Sequence, residues 1–156
     1  MINLSALVSD LGPSQKSFYL IKQFNELSRH PDISCTAFLL NITAPVTKPL
    51  FSCSSVSFFS DYQGACIATT LEEAKILLQS NNNCKKYLYL WDIEWIKIPY
   101  NYSDVCSILL DDRLDIISRS ESHSTMIKNY CNKSPIDTLE DWNSSKLLQI
   151  LEGAHV

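Results

Sequence analysis

Short apolar runs alternate along this chain with stretches whose apolar residues lie three and four apart. The first run, Ile2-Asn3-Leu4-Ser5-Ala6-Leu7-Val8, ends in the turn-forming Ser9-Asp10-Leu11-Gly12-Pro13 and reads as a strand. Ser14 is placed to cap a helix reaching to about His30, with Phe18, Tyr19, Ile21, Phe24 and Leu27 marking its apolar face. A second apolar run, Cys35 to Leu40, follows. Strand, helix and strand in this order form a βαβ unit, which crosses over right-handed onto a parallel sheet.

The stretch 41–62 is broken by Pro45 and Pro49, with a short strand and a helical turn expected within 52–60. Regular alternation resumes with a strand at Ala65-Cys66-Ile67-Ala68-Thr69. Thr70 then caps a helix from Leu71 to about Leu78, and Glu73 stands at the capping-box position. Ser80-Asn81-Asn82-Asn83 ends that helix, and Lys86 to Trp91 has the strongest β-propensity in the chain. A loop over 92–101, closed by Ile98-Pro99, leads to a helix at 103–110 and a strand at 114–118. Ser120 caps the next helix, to about Tyr130; a short strand at 135–139 and an Asn143-capped helix at 144–151 complete the series. The pattern predicts an α/β fold: a three-layer, Rossmann-like domain with a mostly parallel sheet and helices on both faces. With no internal repeat and no low-complexity linker, residues 1–156 are expected to form one domain.

Composition narrows the function classes. A formal net charge of −4 argues against a broad electrostatic grip on nucleic acid. A local basic patch remains open, for example around Lys85, Lys86 and Lys97. The Met-Ile-Asn-Leu start lacks the basic and apolar regions of a secretory leader, so the six cysteines are expected to be buried free thiols and the protein cytoplasmic. No two cysteines form a CxxC motif, and His30, His123 and His155 are scattered, so we expect no metal and no cofactor. No apolar run approaches the ~20 residues of a membrane helix.

Ligands of open parallel sheets bind where strands deliver their carboxyl ends, and this rule selects the candidate residues. Asp10, Gly12 and Ser14 lie in the first such turn, where a helix N-terminus offers N–H groups to an anion or to sugar hydroxyls. The turn has neither a GxGxxG nor a P-loop pattern, and an ordinary strand-to-helix turn is the alternative. Trp91-Asp92-Ile93-Glu94-Trp95 packs two carboxylates and two indoles at a strand end. A carboxylate here could take a proton from an attacking hydroxyl, and Trp95 could stack on a sugar or base. The structural alternative buries Trp91, uses Asp92 in a turn and leaves Glu94 solvated. Ser120 and His123 open a helix beside the next strand end, either facing a cleft or simply capping a surface helix. Glu140-Asp141-Trp142 reads as a helix-initiating acidic turn.

The order of these pieces resembles the N-terminal domain of GT-B glycosyltransferases, with a flavour of proteins carried by tailed phages. The resemblance rests on Ile2 to Asp10, Ala65-Cys66-Ile67-Ala68-Thr69-Thr70-Leu71, the strand running into Trp91-Asp92-Ile93-Glu94-Trp95, and Leu114-Asp115-Ile116-Ile117-Ser118-Arg119-Ser120-Glu121-Ser122-His123. Phage DNA β-glucosyltransferases are a more distant analogue, in which an Asp following a comparable aromatic strand is the catalytic base; Asp92 stands at that position. The resemblance implies an inverting transfer from a nucleotide sugar, with Asp92 deprotonating the acceptor and Asp10, Gly12, Ser14, Glu94, Trp95, Ser120 and His123 lining the cleft. A complete GT-B enzyme has a second Rossmann-like domain holding most donor contacts. Activity is therefore expected to require a second domain, another chain or a homodimer. The alternative, from a different function class, is a non-catalytic protein-binding module of viral origin working in the host cytoplasm. A flavodoxin-like nucleotide-binding domain ranks third, because the glycine fingerprint is missing.

Overall fold

The computed structural model describes residues 1–97 and 99–153. In chain order its elements are β1 (Ile2–Val8), α1 (Gln15–Leu27), β2 (Ile33–Leu39), β3 (Ser52–Ser55), a 3-10 turn (Val56–Asp61), β4 (Ala65–Ala68), α2 (Leu71–Gln79) and β5 (Lys85–Leu90). There follow α3 (Glu94–Lys97), α4 (Tyr102–Leu109), β6 (Leu114–Ser118), α5 (Glu121–Cys131), β7 (Asp137–Thr138) and α6 (Ser144–Gly153). The strands form one seven-stranded sheet in the order β3-β2-β1-β4-β5-β6-β7, and every adjacent pair is parallel. This is the expected three-layer Rossmann-like architecture, and the order reverses between β1 and β4.

Alternation along the strands divides the core in two. Leu4, Ala6, Val8, Tyr87 and Tyr89 face α1 and α6, meeting Phe24, Leu27, Trp142 and Leu147. Leu7, Ala68, Leu88 and Leu90 face the other way, meeting Leu77 of α2, Leu109 of α4 and Ile127 of α5. Both faces are covered, which is why the strands read as continuous apolar runs.

Local chemistry sets the element ends as the sequence implies. Ser14 accepts from the Ser17 amide at 3.0 Å, and Asn143 accepts from the Lys146 amide at 2.9 Å. Thr70 and Glu73 form the full capping box. Two elements differ from expectation. The 92–101 stretch contains the short helix α3, which its four residues are too few to announce by periodicity. The last strand is only Asp137–Thr138, flanked by the Ile136 and Leu139 amides, which donate to the β6 carbonyls of Ile116 and Ser118 at 2.8 Å. Ile98, expected to close the 92–101 loop, lies outside the described residues.

The cysteines are all free, five buried and Cys53 exposed. The basic patch does not form. Lys86 is buried on the carbonyls of Asn82 and Cys84, Lys85 pairs with Asp115 at 2.7 Å, and Lys97 stands beyond the opposite end of β5. No described helix is long and apolar enough to cross a membrane.

Candidate functional site

The carboxyl edge of the sheet carries two neighbouring regions of different character. The first is the crevice at the order reversal between β1 and β4. Glu73, on the first turn of α2, is fully buried there. Its Oε1 accepts from the Ser9 amide at 2.8 Å and the Ser9 hydroxyl at 3.1 Å. Its Oε2 accepts from the Thr69 amide at 2.8 Å, the Thr69 hydroxyl at 2.7 Å and the Thr70 amide at 3.1 Å. Lys16, from α1, donates to the Thr69 hydroxyl at 2.9 Å and supplies a cation beside this network.

The other acidic groups of the crevice are engaged in the same way. Glu94 reaches back from α3 to accept the Leu71 amide at 2.8 Å, so it occupies the N-terminus of α2. Burial raises its pKa above the ordinary value, against the lowering effect of that amide and of Tyr100. Asp10 accepts from the Gly12 amide at 2.8 Å. A Cβ on Gly12 would stand 3.0 Å from that same Asp10 oxygen, so the glycine permits the close turn. Ser14 is committed to its cap. At the start of α2, the Thr69, Thr70 and Leu71 N–H groups that could meet a ligand phosphate here meet the protein's own carboxylates.

The second region is the rim formed by the ends of β5, β6 and β7. Asp92 leaves the end of β5 with its side chain 52% exposed, and among the described residues it pairs only with Lys97 at 3.3 Å. It sits between two buried anchors on opposite faces of the sheet, Trp91 and Ile93. Arg119, after β6, lies over the Trp91 ring at 3.8 Å from its centroid. The same guanidinium donates to the Trp91 carbonyl and to Asp141, each at 3.4 Å.

Ser120 caps α5 by accepting from the His123 amide at 3.2 Å. The Nδ1 atom of His123 is buried and has no hydrogen-bond partner among the described residues. Burial, then the nearby Arg119 charge, lowers the His123 pKa, and Asp92 acts in the opposite direction. Asp92, Ser120 and His123 therefore share one electrostatic neighbourhood. Trp95 is drawn away from it: its ring stacks on Tyr130 at 4.4 Å and 22°, with Tyr102 edge-on beyond.

Asp141 reaches Arg119 through an unusual turn. Asp141 and Trp142 both have left-handed backbone, at φ 46° and 60°. Such positions cost on the order of 1–3 kcal/mol each for non-glycine residues. The turn persists because it drives the whole Trp142 side chain into the core, edge-on to Tyr89 at 5.0 Å and Phe24 at 5.8 Å. Beside it, Gln23, Thr138, Glu140, Asp141, Asn143 and Lys146 line a groove of about 380 Å³.

Sequence reasoning selected Asp92, Glu94, Ser120 and His123 but not Arg119, Lys16 or the wider role of Glu73. The capping-box motif was the one available signal for Glu73. For Arg119, the signal was its place in the strand-end peptide 118–123. Among the described residues, no three His, Cys, Asp or Glu side chains gather as a metal site requires. Comparison of this chain with protein-family models, with curated proteins and with solved structures found no match.

Proposed function

We propose that this domain is the acceptor side of a glycosyltransferase-like protein, in which Asp92 deprotonates the acceptor hydroxyl as it attacks a sugar's anomeric carbon. The carrying observation is the half-exposed Asp92 carboxylate at the carboxyl end of β5, beside the Arg119–His123 neighbourhood. A base must be reachable by the acceptor, and a half-exposed carboxylate at a strand end meets that need. The closed crevice fits the same reading. With Glu73 and Glu94 on the local N–H groups, the donor's phosphates are left to a second domain, another chain or a second copy of this one. The acceptor oxygen bonds to the anomeric carbon, the nucleoside diphosphate leaves with the electrons of the broken C–O bond, and the acceptor proton passes to Asp92.

The test is a transfer assay with labelled nucleotide sugars over a range of protein concentrations, so that a second copy can supply the donor side. Asp92→Asn is expected to slow transfer by roughly 10²–10⁴-fold. An unchanged rate removes Asp92 as the base.

A second reading has its own observation. The buried Glu73, accepting five hydrogen bonds at the sheet's order reversal, also suits a non-catalytic protein-binding module that has closed an ancestral ligand crevice. Thermal denaturation separates the two. A ligand at 100 times its Kd adds about 2.7 kcal/mol to native stability. Absence of any shift with any nucleotide sugar, at concentrations where a second copy can associate, favours the binding module.

A further inference from the structure

We propose that Arg119 is a positioning residue for Asp92, clamping the backbone from which that carboxylate projects; this rests on the assignment of Asp92 as the base. The Asp92 side chain cannot orient itself. Its ion-pair partner among the described residues, Lys97, is 69% exposed, and exposed pairs of this kind contribute little. Its direction must come from the neighbouring backbone. On one side that backbone is held by Ile93, packed into the core beneath α2, α4 and α5.

On the other side it is held at Trp91. The indole is buried edge-on to Tyr89 at 5.9 Å, and the Arg119 guanidinium lies over the ring at 3.8 Å from its centroid. The same group takes the Trp91 carbonyl, the last backbone acceptor before Asp92, and anchors itself on Asp141. One side chain thus ties the ends of β5, β6 and β7 together directly behind the proposed base. A planar, forked cation is needed for this. A lysine ammonium can supply the charge but cannot stack and donate in two directions at once.

Hydrogen exchange of the full chain tests the clamp without any substrate. In both Arg119→Lys and Arg119→Gln, amide exchange across residues 91–97 is expected to rise about tenfold, while α2 and the central strands keep their protection. Titration of His123 by NMR separates charge from geometry. Its midpoint rises in Arg119→Gln, where the cation is gone, and stays in place in Arg119→Lys. Transfer in Arg119→Lys should fall in kcat with little change in KM. Should Arg119→Gln fail to fold, the lysine variant still decides the question. Wild-type exchange over 91–97 in Arg119→Lys overturns the proposal, and so does a loss of protection spread evenly through the sheet. Asp92→Asn should leave exchange unaltered. A protein that transfers no sugar from any donor would thus refute the base assignment while the exchange data still report on the clamp.

Discussion

The β1–β4 crevice and the β5–β6–β7 rim lie along one edge of one sheet, yet their charged groups are arranged oppositely. In the crevice, Glu73 is buried and saturated by donors, and Glu94 occupies the start of α2. At the rim, Asp92 faces solvent with one exposed partner, and the cation Arg119 is turned inward onto Trp91 and Asp141. The difference teaches that strand order locates a possible ligand crevice, whereas the residues filling it decide whether it remains open. A carboxylate that satisfies every nearby N–H group is a structural tie. A carboxylate held by its backbone and left free at its oxygens is available for chemistry.

The comparison can be broken most severely at Glu73. Glu73→Ala would strip five donors of their acceptor, so we expect a loss of about 3 kcal/mol in urea unfolding. A loss below about 1 kcal/mol would mean that water replaces the carboxylate and that the crevice is open after all. Thr70→Ala removes only the neutral half of the same capping arrangement and should cost about 1 kcal/mol.

The two regions should also respond to pH with opposite sign. The Glu94 pKa is raised above 4.5 by burial, so the folded state binds that proton more tightly than the unfolded state. Its contribution is fully present below pH 4.5 and is lost as pH rises through the raised value. The His123 pKa is lowered below 6.5 by burial and by Arg119, so the unfolded state takes up that proton first. Its contribution is present above pH 6.5 and is lost as pH falls through the lowered value. Unfolding midpoints measured from pH 4 to 8 should show the first slope removed by Glu94→Gln and the second by His123→Asn. Slopes that survive both changes would assign them to other groups. The smallest effect belongs to the rim surface: Asp92→Asn should alter stability by less than about 0.5 kcal/mol. Together with a large loss of transfer rate, that would mark Asp92 as a working group and not a structural one.

Much of the fold was legible because its signals are local. The apolar strands, the Ser14, Thr70, Ser120 and Asn143 caps and the 70–73 capping box each lie within a few residues. The helix α3 is not legible in the sequence because four residues hold too little pattern. The site was legible only in part. Asp92 and Glu94 are two residues apart and look alike in the sequence, but one faces solvent and the other reaches the Leu71 amide 23 residues earlier. Trp95 offered a plausible ligand platform, yet Tyr130 takes up a face of its ring.

The sequence by itself determined the alternation of strands and helices, hence a covered parallel sheet, and it set Asp92 just beyond the strongest strand. Only the tertiary structure decided that Glu73 meets Ser9 across 64 residues of chain, and that Arg119 meets both Trp91 and Asp141. Periodicity and capping act over one or two turns of backbone, so they are written in neighbouring residues. Which carboxylate is sealed and which is left free depends on strand order and on the turns beyond each strand, which bring together residues far apart in the chain.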